Sequence, residues 1–152
     1  MVSARPGSAL DDLPLYLPRV FYGFLGLVER ELKTSGLDEH LAPGMGHVLL
    51  FLYERDNCII KDISDSIRLS QASLTGLLAR MRKASLVTCR RCKADGRAMR
   101  IRLTPKGRSL QPRLLAFHRG VVAKLQRNLT DAEVQAAKRV LAKVIENIYS
   151  GE

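Results

Sequence analysis

Basic residues are concentrated in the middle of this chain, and they are the residues best placed to do chemistry. Twelve of the 25 lysines and arginines lie between residues 80 and 113, where Asp95 is the only acid, so this window carries +11. The whole chain carries +10, and residues 1–60 are net acidic. Charge focused in this way favours a surface that binds a polyanion over an ordinary solvated face.

The segment DGRAMRIRLTPKG, residues 95–107, indicates how that charge is displayed. Asp95-Gly96 is a tight-turn dipeptide, and from Met99 to Leu103 apolar and cationic residues alternate as in a strand. With the β-prone residues 86–91, this pattern predicts a hairpin with Arg97 at its tip. Asp95 can hold the Arg97 guanidinium, which suits a narrow minor groove. Thr104 and Pro105 then predict the start of a helix.

A helix is predicted from Gln71 to Lys83 with Ser70 as its cap, after a short helix near residues 61–67 and a turn at 68–70. This order is typical of a helix-turn-helix. One face is expected to be core: Leu74, Leu77, Leu78, Met81 and Ser85. The other is slim: Ala72, Ser73, Gly76, Ala79, Arg80 and Lys83, flanked by Gln71 and Thr75.

Small side chains let a helix approach base edges closely, and a Gln can pair twice with adenine. The sequence therefore predicts binding to double-stranded DNA. The residues expected to contact it are Ser70, Gln71, Ser73, Thr75, Arg80, Lys83, Arg90, Lys93, Asp95, Arg97 and Arg100. A nonspecific RNA binder is a weaker reading, because 5% aromatics leaves few rings for stacking.

Cys89 and Cys92 form a Cys-x-x-Cys pair that offers an alternative, a thiol- or metal-responsive switch of DNA binding. The nearby Arg90, Arg91 and Lys93 are expected to lower a thiol pKa. Against a zinc site, no second ligand pair follows, and strand geometry puts the two thiols on opposite faces. Cys58 is expected to be buried and inert.

Several function classes find no support in the sequence. No nucleophile–base or metal-ligand spacing is present, nor a glycine-rich phosphate loop, so neither an enzyme nor a cofactor or metal site is predicted. No apolar run is long enough to span a membrane. The first residues lack an apolar signal core, and the three cysteines do not suggest a disulfide framework. The expected location is the cytoplasm.

The remaining pattern is helical, so the expected fold is mainly α with a small β-hairpin. A first helix is predicted over residues 13–33, regular from Pro18, and a second from Pro43. A long helix is predicted over 105–129, and a last one begins after the capping box at Thr130–Glu133. The first and last helices carry more apolar residues than one core uses, which predicts a homodimer. The dimer contacts are expected at Leu17, Phe21, Leu141, Ile145 and Ile148.

From about residue 13 to 149 the chain resembles the MarR (multiple antibiotic resistance regulator) family. The resemblance is carried by residues 63–75, 77–81 and 86–87, and by Asp95-Gly96-Arg97 followed by residues 103–107. It implies a homodimeric winged helix-turn-helix regulator, expected to be a repressor, that binds palindromic operators. Such regulators are commonly released by small phenolic ligands, oxidants or metals. The family's wing Asp and Arg correspond to Asp95 and Arg97, and its base-reading helix to residues 71–83.

The resemblance also implies a division of the single domain. Residues 13–35 and 108–150 would form the dimerisation helices, and residues 43–106 the DNA-binding lobe. An effector pocket would lie between these parts, near Arg19, Tyr22, His47 and Phe51. His47 and His118 fall near ligand positions of zinc-dependent members, but Gly46, Arg113 and Leu114 stand where acidic partners are needed.

Two positions depart from the family pattern. Many members carry Arg where this chain has Gly76, and Gly where Ser85 ends the recognition helix. A Ser adopts the left-handed conformation of a helix end reluctantly, so a less tidy end is expected.

Overall fold

The computed structural model of the protein describes residues 12–91 and 98–150, so the predictions for Cys92, Lys93, Asp95 and Arg97 lie outside the described residues. The predicted fold class, mainly α with a small β-hairpin, is confirmed. The helices are α1 (Leu13–Thr34), α2 (Met45–Glu54), α3 (Ile60–Ile67), α4 (Gln71–Lys83), α5 (Pro105–Ser109), α6 (Gln111–Leu125) and α7 (Asp131–Tyr149). The strands are β1 (Cys58–Ile59), β2 (Val87–Arg91) and β3 (Met99–Leu103).

The first two helices differ slightly from the prediction. α1 is helical from Leu13, because Pro14 sits in the first turn, where a missing N–H costs no hydrogen bond. Pro18 lies inside the helix instead of starting its regular part. α2 begins at Met45, two residues after the predicted start, behind Gly44 at φ 90°.

The strands form one antiparallel sheet in the order β1-β3-β2. Cys89 lies opposite Ile101 on one side, and Cys58 lies opposite Ile101 on the other. β1 was missed in the sequence because two residues are too few to show an alternating pattern. β1 nevertheless positions the hairpin, because it pairs with the edge of β3 that β2 leaves unpaired.

The chain divides into two compact units between Phe117 and His118. The core of the first unit is aliphatic and joins α2, α3, α4 and the inner face of the sheet. Its fully buried side chains include Leu37, Leu49, Leu52, Ile63, Leu74, Met81, Leu86 and Ile101. This core supports both the recognition helix, α4, and the two strands of the wing, β2 and β3.

The predicted long helix over 105–129 is wrong, since Leu110 separates α5 from α6. Pro112 explains the break, because its ring removes one backbone N–H and collides with the carbonyl four residues earlier. α6 ends at Leu125, and Asn128 then adopts φ 63°.

The second unit consists of the end of α6 and α7. Thr130 and Glu133 form the predicted capping box: the Thr130 hydroxyl accepts from the Glu133 N–H, and the Thr130 N–H donates to the Glu133 carboxylate. The hydrogen bonds that the Thr130 N–H and the Thr130 hydroxyl donate to the Glu133 carboxylate lower the pKa of Glu133. No described residue of α7 is buried within the chain. Among the described residues, no helix combines the length and apolarity needed to span a bilayer.

Candidate nucleic-acid interface

The recognition helix α4 runs from Gln71 to Lys83 as predicted, and its start is well anchored. The Ser70 hydroxyl accepts a hydrogen bond from the Ser73 N–H at 3.2 Å. This is the N-cap arrangement that satisfies a free donor of the first turn. Leu74, Leu78 and Met81 are buried beneath it. The residues of α4 and its cap that are expected to contact DNA are all exposed: Ser70, Gln71, Ser73, Thr75, Arg80 and Lys83.

The hydroxyl groups on this face are partly committed to the helix itself. Ser70 donates to the Ser73 hydroxyl at 2.9 Å, and Thr75 donates to the Gln71 carbonyl at 2.7 Å. Their oxygens can still accept hydrogen bonds from outside. Gln71 is exposed, and its side-chain amide can donate one hydrogen bond while it accepts another. It is therefore better placed than Ser70, Ser73 or Thr75 to read a base edge.

Gly76 lies at the centre of the slim face, and apart from its chain neighbours and the backbone of its own helix nothing lies within 4 Å of where a Cβ would stand. No internal packing therefore requires a glycine at this position. In a helix interior, Gly costs about 0.5–1 kcal/mol relative to Ala. Its presence is consistent with a surface kept thin for a partner.

The end of α4 is a Schellman motif built on a serine. The Leu86 N–H donates to the Met81 carbonyl and the Ser85 N–H to the Arg82 carbonyl, both at 2.9 Å. Ser85 adopts φ 60°, the left-handed conformation that glycine favours. The prediction that Ser85 belongs to the core face is wrong: it is exposed, because the chain turns away before it.

The segment 104–107 joins the wing to the end of α4. Thr104 donates its hydroxyl to the Ser85 and Leu86 carbonyls, at 2.6 and 3.1 Å, and its N–H to Leu86 O at 3.0 Å. It also caps α5, accepting from the Gly107 N–H. Lys106 donates to the Ala84 carbonyl at 2.9 Å. Thr104 and Lys106, which belong to the pattern that predicted a helix start, therefore also connect the wing to the end of the recognition helix.

The two wing strands present arginines on their outer face. Val87, Cys89, Ile101 and Leu103 turn toward the core, so the alternate residues face outward. Among these, Arg90 lies directly opposite Arg100. Both are exposed, as predicted for residues that contact phosphates.

Asp56 stabilises the base of the wing, and its role was not predicted from the sequence. Its carboxylate accepts from the Leu103 N–H at 2.9 Å and from the Asn57 N–H at 2.8 Å. The same carboxylate forms an ion pair with Arg108. If the pairing of β1 with β3 continued for two more residues, Asp56 would lie opposite Leu103. The Asp56 carboxylate therefore accepts the hydrogen bond from the Leu103 N–H that a backbone carbonyl would otherwise accept. A single Asp before a two-residue strand gave no signal in the sequence.

The expectation that neighbouring cations lower the Cys89 pKa is wrong. Burial raises the pKa of the half-buried Cys89 thiol, and the field of Arg82 opposes this only in part. Cys58 is buried, as expected, and burial together with the Asp62 charge raises its pKa. A raised thiol pKa means less thiolate at neutral pH, which does not support a reactive switch at Cys89.

The residues predicted to bind an effector lie on α1 and α2. Tyr22 is 70% exposed and packs edge-on against Phe21, and Arg19 stacks over the Tyr16 ring at 5.7 Å. His47 is exposed on α2, whereas Phe51 packs against the core. An effector role for these residues stays a prediction.

The residues predicted to form the dimer are largely exposed in the single chain. Phe21, Leu141, Ile145 and Ile148 are 38–60% exposed, and Leu17 is half-buried. Surplus apolar surface of this kind needs a partner. The identity of that partner stays a prediction.

Known proteins share this sequence pattern and this architecture. A model of the MarR family matches residues 42–99. The HTH-type transcriptional repressor IacR of Pseudomonas putida is 30% identical over 139 residues, which are 91% of this chain and 81% of IacR.

Two solved structures have the same fold. BpsR of Bordetella bronchiseptica, whose DNA binding is regulated by 6-hydroxynicotinic acid, superposes with a TM-score of 0.80 at 22% identity, covering 92% of this chain and 97% of BpsR. A MarR family regulator from Listeria monocytogenes complexed with 26mer DNA superposes with a TM-score of 0.75 at 20% identity, covering 91% and 89%. The similarity to IacR over most of both chains, together with the family match across the helix-turn-helix, shows that this protein belongs to the MarR family of DNA-binding transcriptional regulators.

Proposed function

We propose that the protein is a homodimeric repressor that binds a palindromic operator and leaves it when a small molecule binds. Each α4 enters the major groove of one half-site, and each wing reaches toward the adjacent minor groove. The observation that carries this proposal is the exposed, slim and firmly capped face of α4 beside a cationic hairpin.

The proposed contacts are of two kinds, base contacts that recognise sequence and phosphate contacts that position the protein. Gln71 reads a base edge, with Thr75 offering a hydroxyl oxygen beside it. The N–H groups of Gln71 and Ala72 in the first turn of α4, together with Arg80 and Arg90, hold phosphates. Each phosphate neutralised in this way adds about 0.9 to the salt dependence of binding on a log–log scale.

The exposed apolar faces of α1 and α7 support a dimer. α7 has no buried residue of its own and leaves Leu141 and Ile148 50% and 60% exposed, as expected for a helix completed by another chain. A two-fold pair of chains reads two half-sites in opposite orientation, which is why the operator is proposed to be palindromic.

Repression and release by an effector are proposed from the relatives. IacR of Pseudomonas putida is a repressor, and the DNA binding of BpsR is regulated by 6-hydroxynicotinic acid. The proposed ligand of this chain is a small phenol or a similar aromatic acid, held near Arg19, Tyr22, His47 and Phe51. Such a ligand releases DNA by favouring a spacing of the two α4 helices that the duplex does not match.

The test is selection of bound duplexes from a random pool, followed by titration of the enriched duplex. We expect an inverted repeat with half-sites one helical turn apart. Gln71→Ala should weaken binding to this duplex about tenfold, since a bidentate base contact contributes on the order of 1–3 kcal/mol. Arg97→Ala should weaken it markedly as well.

Lys61→Ala is the matched control, because Lys61 is exposed on α3, outside the proposed interface. It should bind as the unmodified protein does. Failure to enrich any duplex, or equal affinity of Gln71→Ala and Lys61→Ala, would refute the proposed reading of DNA by α4.

A further inference from the structure

The outer face of the wing sheet forms a concave groove of about 720 Å³. This volume is within the range of small-molecule sites, about 300–1,000 Å³. The groove is lined mainly by guanidinium groups and hydroxyls: Asn57, Thr88, Arg90, Arg91, Arg100, Arg102, Leu103, Thr104, Pro105 and Arg108. We call it the arginine groove.

Of the five arginines in the arginine groove, Arg108 is paired with Asp56, and the other four have no acidic partner among the described residues. Arg90 and Arg100 are direct cross-strand partners, an arrangement that is destabilising when like charges face each other. Among the described residues that line the groove, none is acidic. Five guanidinium groups around one concavity favour an anion with several negative charges.

Two of these arginines are already held in place from within the protein. Arg100 donates to the Asn57 carbonyl at 2.8 Å, and Arg108 pairs with Asp56. Fixed side chains lose little entropy when a ligand binds. Arg90 and Arg102 are also exposed, and neither guanidinium group has a hydrogen-bond or ion-pair partner among the described residues, so a ligand can engage these two groups as well.

The arginine groove is on the opposite face of the sheet from the recognition helix. Val87 and Ile101 point the other way, into the core shared with α3 and α4. Thr104 and Pro105 place the groove at the base of the wing, away from its tip. A duplex seated against α4 would therefore leave most of this groove open, with Arg90 shared between the duplex and a ligand in the groove.

We propose that the arginine groove binds a small polyanion that carries several phosphate groups, the chemistry of nucleoside polyphosphates and inorganic polyphosphates. Guanidinium groups bind phosphate oxygens in a bidentate manner, and a chain of phosphates can span several of them. A regulatory consequence rests on the proposed function: ligand in the groove would neutralise the wing and lower affinity for duplex DNA, and duplex would lower affinity for the ligand equally.

The test is calorimetric titration of the full protein with tripolyphosphate, in the absence of DNA. Two double variants remove the same charge: Arg90→Gln with Arg102→Gln in the groove, and Arg80→Gln with Lys83→Gln on α4. We expect saturable binding to the unmodified protein, a loss of about tenfold or more in the groove variant, and less than about a twofold change in the α4 variant.

Phenylglyoxal modification of the unmodified protein provides a second readout that needs no variant. Tripolyphosphate should protect Arg90 and Arg102 and leave Arg80 reactive. Equal losses in the two variants, or equal protection of all three arginines, would show only a general attraction and overturn the proposal. Absence of saturable binding would also overturn it. Because DNA is absent from both measurements, these results are independent of whether the protein reads an operator.

Discussion

At Gly107 the backbone of α5 passes close against the start of β2. A Cβ at this position would stand 2.2 Å from the Leu86 carbonyl oxygen, which is backbone and cannot move aside. The Gly107 carbonyl also accepts the Tyr53 hydroxyl at 2.8 Å, and burial raises the Tyr53 pKa to about 12. The glycine is therefore required by close packing at the junction of the wing and α4.

Gly107→Ala should destabilise the protein by about 3 kcal/mol, the upper end of the range for overpacking. The measurement is the free energy of unfolding from urea titration. Gly120→Ala is the matched control, since nothing lies within 4 Å of a Cβ there and the residue is inside α6. That control should be neutral or stabilising; a Gly107→Ala protein as stable as the control would contradict the packing argument.

Gly76→Ala should stabilise the protein, in contrast to Gly107→Ala. The space around Gly76 is open, so the substitution should stabilise the helix by about 0.5–1 kcal/mol. Ala79→Gly, on the same exposed face, should destabilise by a similar amount. Both values come from urea unfolding, and a loss of stability in Gly76→Ala would show that the glycine has an internal structural role instead.

Individual residues were predictable where their role is local. The Ser70 cap and the Thr130–Glu133 capping box depend on neighbours three residues apart, so the sequence contains the whole signal. Asp56 was not predictable, because its partners Leu103 and Arg108 are about fifty positions away. The Cys89 pKa was misjudged for a related reason: adjacent charges are visible in a sequence, whereas burial is not.

At the scale of elements, the end of α4 is closed at Ser85, a residue poorly suited to the left-handed conformation that it adopts there. Ser85 holds φ 60° to close the Schellman motif. A left-handed residue with a Cβ costs roughly 1–2 kcal/mol, a penalty that glycine avoids. Ser85→Gly should therefore stabilise the protein by about 1 kcal/mol, measured by urea unfolding.

Ser85→Val is the informative companion, because a branched Cβ makes the left-handed conformation still less favourable. It should destabilise the protein. If Gly and Val have the same effect at this position, the strain assigned to Ser85 is wrong.

Element boundaries show what periodicity can and cannot predict. α4 and β3 were predicted at their observed limits, because a cap, an apolar stripe and an alternating strand mark them. β1 is too short to show a pattern. The break at Leu110 was missed because the apolar stripe of Leu110 and Leu114 continues across it, and only the backbone effect of Pro112 interrupts the helix.

At the scale of the molecule, the exposed apolar surface predicts association. Leu141→Glu with Ile148→Glu should convert a dimer into a single chain, because charges buried at an apolar interface are strongly unfavourable. Sedimentation equilibrium measures this directly. Lys138→Glu on the same helix is the control and should leave the dimer intact. A protein that sediments as one chain without any substitution would contradict the proposed dimer.

The distance between the two recognition helices on DNA tests the central proposal most directly. A spin label at Arg82→Cys, beside the DNA-facing side of α4, in a Cys89→Ser, Cys92→Ser background, allows it to be measured by pulsed dipolar spectroscopy on the selected duplex. Two helices in successive major grooves predict a distance near one helical turn, about 34–36 Å, within the length of the labels. Absence of dipolar coupling, or a distance far from one helical turn in the bound state, would contradict the proposal that paired α4 helices read the duplex.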